Sequence, residues 1–233
     1  MRIRTDRFNA ESRKTCDKIR ESEVIWLYVF ESGYLHSPKS IRLAEEKEKY
    51  VPCGFALSPD QKLLVVAETW GNRITIIDLA STATRAQFLL EPEARPYDCT
   101  FSADGNLVLV SLWGKACVQP IALSERSPRL LERIPTGDHP NEMVLSPDGI
   151  RLFVANANTN TVTVIDTFLR VVTETLHCGI YPDALAGSTP NSLEITPDGK
   201  QLYIANADNN CLAVFDISQP GSSKPLGFVP VGW

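Results

Sequence analysis

The sequence offers little that would tie its 233 residues to a reaction. It holds three histidines (His36, His139, His177) and six cysteines (Cys16, Cys53, Cys99, Cys117, Cys178, Cys211) with no Cys-x-x-Cys spacing. That excludes the usual zinc and thioredoxin-like patterns, and leaves buried, small apolar side chains as the simplest role for the thiols. Any disulfide pairing stays open. Also missing are G-x-S-x-G, H-E-x-x-H, the P-loop and G-x-G-x-x-G, which argues against a serine hydrolase, zincin, P-loop NTPase or Rossmann dehydrogenase. The longest apolar run, Val24 to Phe30, is seven residues, against roughly 20 for a helix that spans a bilayer. Net charge is −5 and no basic stripe runs along the chain, so a phosphate-backbone partner is not expected. Residues 1–23 mix acidic and basic side chains without the apolar core of a signal peptide, and read as a charged segment, helical or disordered.

What is present is a repeat. The segments LSPDQKLLVVAETWGNRITIIDL (57–79), FSADGNLVLVSLWGKACVQPIAL (101–123), LSPDGIRLFVANANTNTVTVIDT (145–167) and ITPDGKQLYIANADNNCLAVFDI (195–217) align without gaps. Pro52, Pro96, Pro140 and Pro190 stand six positions ahead of the turn Ser or Thr, at intervals of 44, 44 and 50. An insertion from Asp183 to Pro190 accounts for the longer interval, since Gly179-Ile180-Tyr181-Pro182 already matches Gly137-Asp138-His139-Pro140.

Each repeat reads as four strands. The first ends in the S/T-P-D-G turn, and in repeat one the second is Leu63 to Ala67, the third Ile74 to Leu79 and the fourth Thr84 to Leu90. In S/T-P-D-G, Pro presets φ at the first corner, Asp tolerates the second and Gly supplies positive φ. LLVVA, LFVA and LYIA are apolar on both faces, as suits a sheet stacked against a neighbour on either side. Asp78, Asp166 and Asp216 close the third strands, where a carboxylate can cap an Asx-turn; repeat two has Ala122 there. The expected architecture is therefore all-β: four blades of a β-propeller (52–95, 96–139, 140–189, 190–233), preceded by a partial blade over 24–51.

Phe153-Val154-Ala155-Asn156 and Tyr203-Ile204-Ala205-Asn206, each followed by an N-x-[VI]-x-V-I-D-like stretch, resemble the YVTN-type β-propeller repeat family. Val65-Val66-Ala67-Glu68 keeps the frame, and Leu109-Val110-Ser111-Leu112 departs most. The resemblance covers residues 52–233. It implies an exported bacterial protein, periplasmic or extracellular, with a ring of about seven blades and, in some relatives, a phosphoesterase domain downstream. On that basis the sequence reads as a fragment, ending at Pro230-Val231-Gly232-Trp233 where a further junction would start. Open strand edges in such a fragment invite self-association.

In a propeller the loops joining second to third strands gather with the blade junctions on the channel face. The loops supply Glu68, Trp70, Asn72, Trp113, Asn156, Asn158, Asn160, Asn206, Asp208 and Asn209, and the junctions Tyr97, Asp98, His139, Asn141, Glu142, Tyr181, Asp183 and Asn191. From these, Glu68, Tyr97, Asp98, His139, Asn141, Glu142, Asn156, Asn191 and Asn206 are the candidates for ligand binding at the channel mouth. The Asn-rich loops have a plainer explanation in the left-handed turns that Asn favours. Trp70 and Trp113 suit either stacking on a sugar or a partner's side chain, or capping a neighbouring blade. Lactonase-like hydrolysis would need Glu68, Asp98, Asn141, Glu142, Asn156 and Asn206 to converge on a divalent cation. The reading favoured is a non-catalytic binding or interaction module for a protein or small molecule, with no catalytic residue, metal site or cofactor assigned. The alternatives are the propeller part of a phosphoesterase-type hydrolase and the lactonase-like enzyme.

Overall fold

In the computed structural model the described residues are 2–4, 24–31, 34–43, 51–123, 127–181 and 185–232. They form a series of antiparallel sheets in chain order. Blade 1 comprises Pro52–Leu57, Leu63–Glu68, Arg73–Asp78 and Thr84–Leu89. Blade 3 comprises Pro140–Leu145, Arg151–Asn156, Thr161–Asp166 and Val171–His177. Blade 4 comprises Pro190–Ile195, Gln201–Asn206, Cys211–Asp216 and Lys224–Pro230. All three follow the four-strand meander that the repeat predicts.

Blade 2 departs in its outer strand. Pro96–Phe101, Leu107–Leu112 and Cys117–Ala122 are regular, but the fourth strand is split into Arg129–Leu130 and Ile134–Pro135. The cause lies in the third strand, where Pro120 has no N–H to offer the ladder. Gln119 makes up the loss: its Nε2 donates to the carbonyls of Pro120 and Leu131, and its Oε1 accepts from Arg133 Nε at 2.9 Å. Arg133 in turn grips Glu91 through both guanidinium nitrogens at 2.6 and 2.7 Å, which holds the Glu91 carboxyl down at about 2.

First strands of successive blades lie side by side, and the apolar faces close between them. Val65, Ile74 and Ile76 of blade 1 pack with Val108, Val110 and Leu112 of blade 2. Leu109 and Val118 meet Leu152, Val154 and Ile165, and Phe153 and Val164 meet Leu193, Leu202 and Ile204. Second strands of blades 1 and 3 are buried at every position, as apolar residues on both faces require. Where a partial blade was expected over 24–51, Val24–Glu31 and Tyr34–Arg42 pair as a hairpin, with Arg2–Arg4 on the far edge. Ile25, Ile41 and Leu43 cover Leu64, Val66 and Ile77 of blade 1, as a preceding blade would. Residues 5–23, within the charged leading segment, and Cys16 among them, lie outside the described residues. Cys99, Cys117, Cys178 and Cys211 are buried free thiols, and burial pushes Cys178 up to about 12.

The turn chemistry recurs in each blade. Ser58 Oγ donates to Asp60 Oδ1 at 2.7 Å, and both oxygens then accept backbone N–H groups, from Leu63 at 2.9 Å and Lys62 at 3.1 Å. Ser102/Asp104, Ser146/Asp148 and Thr196/Asp198 repeat the arrangement. These bonds hold the four turn carboxyls below their ordinary range, with the hydroxyl donor as the main cause. Asp78, Asp166 and Asp216 accept N–H groups from the next turn, as expected for Asx-turns.

Within the aligned segments, two positions take a left-handed backbone without the Gly or Asn that the other blades place there. Gln61 (φ 58°) stands where the other turns have Gly105, Gly149 and Gly199, and Ala116 (φ 47°) where the others have Asn72, Asn160 and Asn210. Gln61→Gly and Ala116→Asn should each raise the unfolding free energy by about 0.5–1 kcal/mol, since a non-glycine residue there carries a penalty of roughly 1–2 kcal/mol. Gly149→Ala should do the reverse by about 2 kcal/mol or more, because φ is 74° and the added Cβ would sit 2.5 Å from Ala103 Cβ. Urea denaturation of the three variants measures this; equal midpoints would mean that the turns do not hold these conformations.

Candidate functional site

One backbone bond, repeated four times, builds the face on which the candidate residues gather. The first residue of each second-to-third loop donates its N–H to the carbonyl just before a junction proline: Thr69 to Val51, Trp113 to Arg95, Ala157 to His139 and Ala207 to Thr189, at 3.0–3.1 Å. At the far end of each loop the left-handed residue accepts an N–H from beside the outer strand: Asn72 from Leu90, Ala116 from Thr136, Asn160 from Cys178 and Asn210 from Val231. Loops and junctions therefore share one face, as the repeat implied. Asn160 does more, because its Oδ1 accepts from Gly187 and Ser188 and its Nδ2 donates to the Leu185 carbonyl. It thereby pins the end of the insertion; Asp183 lies outside the described residues.

Glu68, Asn156 and Asn206 occupy equivalent places as the last residues of second strands, and all three are buried. Glu68 is spent on its own blade. Its carboxylate accepts from Arg73 Nε at 3.1 Å, from Arg73 Nη2 and from Thr75 Oγ1, while Arg73 Nη2 also reaches the Leu43 carbonyl at 3.1 Å. Asn156 Nδ2 donates to Thr161 and Thr163 hydroxyls, and Asn206 Nδ2 to the Cys178 carbonyl at 2.6 Å. Their Oδ1 atoms are buried without a protein partner, places where an internal water would complete the bonding.

Asp98 and Glu142 are also equivalent, two residues past a junction proline, and each crosses to the next blade. Every first strand carries a register shift just after that proline. Asp98 Oδ2 accepts the N–H of Met143 at 2.8 Å and Oδ1 that of Cys99 at 2.8 Å; Glu142 Oε2 accepts the N–H of Leu193 at 3.1 Å. Asn141 completes the seam, donating to Pro190 O and Asn191 Oδ1 and accepting from the Glu142 N–H. Ser111 donates to the Asn141 carbonyl at 2.7 Å and accepts from the Asp98 N–H. In blade 1 the same position is Gly54, and a Cβ there would lie 2.5 Å from the Tyr97 carbonyl oxygen. Contact between backbones takes the place of a carboxylate.

Burial pushes the Asp98 carboxyl up to about 6, against its two N–H donors, with the neighbouring Glu142 charge adding to the rise. Tyr97 is half-buried and Asn191 exposed. His139 (φ 54°) stacks on Trp113 with ring centroids 3.8 Å apart, and its Nδ1 lies 3.2 Å from Asp138 Oδ2 without hydrogen-bonding alignment. Among the described residues, no group of three or more His, Cys, Asp or Glu side chains is placed to hold a metal ion. A cleft of about 770 Å³ lies on the opposite face between blades 2 and 3, lined by Asp104, Leu107, Leu131, Ile150, Phe168 and Arg170 among others.

The structure thus sets Asp98 at the seam between blades 2 and 3 and Asn141, Glu142 and Asn191 at the seam between blades 3 and 4, and keeps Glu68, Asn156 and Asn206 apart in separate blades. Arg73, Thr75 and Ser111 are partners that sequence reasoning passed over. Arg73 was within reach of it: only four loop residues separate it from Glu68, and a hairpin of that length sets the two directly opposite.

No protein-family model and no curated protein sequence matches the chain. Solved structures do. The chain is similar to Kuenenia stuttgartiensis hydrazine synthase (22% identity over 76% of this chain and 49% of that one, TM-score 0.59). It is similar to Pseudomonas aeruginosa periplasmic gluconolactonase PpgL (20% identity, 90% and 64%, TM-score 0.68). It is also similar to the β-propeller domain of Myceliophteria thermophila Cps50 (Swd1) (12% identity, 89% and 65%, TM-score 0.66). The chain spans about half to two-thirds of the length of these proteins. Together with the four successive blades, these likenesses identify the fold as a β-propeller.

Two expectations follow. Arg73→Met should destabilise by about 3–5 kcal/mol because it strands a buried carboxylate, while the double variant Glu68→Leu/Arg73→Met should lose far less; urea unfolding of both would show it, and additive losses would contradict it. For Asp98, the folded value of about 6 exceeds the ordinary 3.8, so its contribution to stability is fully present below pH ~4 and is lost as pH rises through ~6. Asp98→Asn should remove a decline of about 2–3 kcal/mol over that window. Parallel pH slopes for variant and parent would contradict the shift.

Proposed function

We propose that the chain is a non-catalytic binding module, part of a larger exported bacterial protein, with the face that carries its loops and junctions as the ligand side. One observation carries this reading. Four of the six side chains that a lactonase-like propeller would turn toward a cation are committed here to the protein's own frame, Glu68 to Arg73 and Thr75, Asp98 to the Met143 N–H, Glu142 to the Leu193 N–H and Asn141 to Pro190 and Asn191, and Asn156 and Asn206 stand in separate blades. What stays open to solvent on that face is a set of contact groups, among them Trp70, Asp138 and Asn191.

The resemblance to exported repeat proteins supports a periplasmic or extracellular setting, as does the likeness to a gluconolactonase described as periplasmic. No helix among the described residues is long and apolar enough to cross a membrane.

The discriminating experiment is hydrolysis of gluconolactone and 6-phosphogluconolactone with added Mg²⁺, Ca²⁺, Mn²⁺ or Zn²⁺. The rate should equal spontaneous opening in buffer under every condition. A metal-dependent rate that Glu142→Gln abolishes would overturn the binding reading in favour of a lactonase.

A further inference from the structure

The face opposite the loops and junctions carries an apolar hairpin tip that the repeat does not call for. Between the third and fourth strands, where blade 1 has Ala80-Ser81 and blade 4 has Ser218-Gln219, blade 3 has Phe168-Leu169, exposed to 84% and 61%. The tip is held firmly. Asp166 Oδ1 accepts the N–H groups of Phe168 at 2.9 Å and Leu169 at 2.7 Å, the Arg170 N–H donates to the Asp166 carbonyl at 2.8 Å, and the Thr167 hydroxyl donates to the Gly149 carbonyl at 2.8 Å. Asp78 with Ser81, and Asp216 with Ser218, close the corresponding turns of blades 1 and 4 through the same kind of backbone bond, so the turn itself needs neither apolar side chain.

Beside the tip lies the cleft of about 770 Å³ between blades 2 and 3. Phe168, Leu169 and the exposed Ile150 form its blade 3 wall, and the half-buried Leu107 and Leu131 belong to its blade 2 wall. A knob and a hollow of the same apolar character, side by side on one face, are self-complementary: a two-fold axis along the line between them sets each knob into the hollow of a second copy. The charges obey the same operation. Arg170 stands on the tip and Asp104 on the blade 2 wall, so the axis carries each Arg170 toward the Asp104 of the other copy. Asp104 Oδ1 is taken by Ser102 and the Asn106 N–H, while Oδ2 accepts from Asn106 Nδ2 at 3.0 Å and keeps a second lone pair for an incoming donor.

We propose that this face joins two copies of the chain in a symmetric dimer, the Phe168-Leu169 tip of each seated in the cleft between blades 2 and 3 of the other. An unrelated apolar peptide would fill the cleft and leave the tip in water, whereas a second copy covers both. An anionic lipid surface would take the tip but meet Asp104 and Asp148 in the turns that border the cleft, whose carboxyls Ser102 and Ser146 hold below the ordinary range, on a chain of net charge −5. The dimer leaves the loop-and-junction face of each copy open, and the inference does not rest on the binding reading above.

Sedimentation velocity of the whole chain from about 1 to 100 µM tests it, with a dimer of micromolar Kd expected. Phe168→Ser/Leu169→Ser, which gives blade 3 a polar tip like those of blades 1 and 4, should weaken association at least about a hundredfold. Arg170→Glu should weaken it about tenfold by setting like charges opposite each other. The turn is held by backbone bonds and both apolar side chains are exposed, so the variants keep the fold, which circular dichroism verifies. With p-benzoylphenylalanine in place of Phe168, irradiation of mixed ¹⁵N-labelled and unlabelled chains should link the tip of one copy to residues 102–107 or 129–131 of another, read as mixed-isotope peptide pairs.

A monomer across the whole range, or a dimer that the tip variant leaves at full strength, would overturn the proposal; association through open strand edges would give the second result. Crosslinks confined to peptides of one isotope would overturn it as well. So would tip-dependent binding of a monomeric chain to phosphatidylglycerol vesicles, which would assign the tip to a lipid surface.

Discussion

Two sheets stacked face to face can bury their apolar side chains, but the seam between them also encloses backbone N–H groups, and a buried N–H without an acceptor costs about 1–3 kcal/mol. The face that carries the loops and junctions is organised by how that constraint is met. Each first strand shifts register just past its junction proline. At two seams the preceding blade reaches across with a carboxylate, Asp98 to Met143 and Glu142 to Leu193. Where blade 1 meets blade 2 the side chain is absent and the backbones close up around Gly54. Asp98, Asn141 and Glu142 thus serve as fastening between blades.

This explains why the sequence disclosed the architecture readily and the site poorly. Turn aspartates act through neighbours a few residues away and kept the role their spacing implied, and the apolar second strands of blades 1 and 3 are buried on both faces, whereas that of blade 4 is buried only at alternate positions. Asp98 and Glu142 act on amides 45 and 51 residues downstream, and no local pattern announces an acceptor whose donor lies on another blade. Glu68 is an intermediate case, since its partner Arg73 follows from hairpin arithmetic. The broken outer strand of blade 2 also had a signal, in Pro120 within the third strand and Pro128 ahead of the fourth, two residues that cannot donate to a ladder.

The division of labour between interior and rim follows from the same physics. Side chains that close the seams are not at liberty to bind anything else without opening a blade interface. Recognition is then left to groups the repeat does not constrain, and these sit at the loop tips. The left-handed positions show how firmly the tips are held: Asn72, Ala116, Asn160 and Asn210 each take the same conformation and accept the same kind of backbone bond. Such a scaffold can carry varied side chains in fixed places, which suits binding by preformed contact.

The central claim is that the carboxylates of the channel face are links between blades, and amide hydrogen exchange tests it most directly. The N–H groups of Met143 and Leu193 should exchange slowly in the native protein. Asp98→Ala should release Met143 while leaving Leu193 protected, and Glu142→Ala should release Leu193 while leaving Met143 protected. If both amides keep their protection in both variants, the carboxylates do not fasten the seams and are free to act on a ligand.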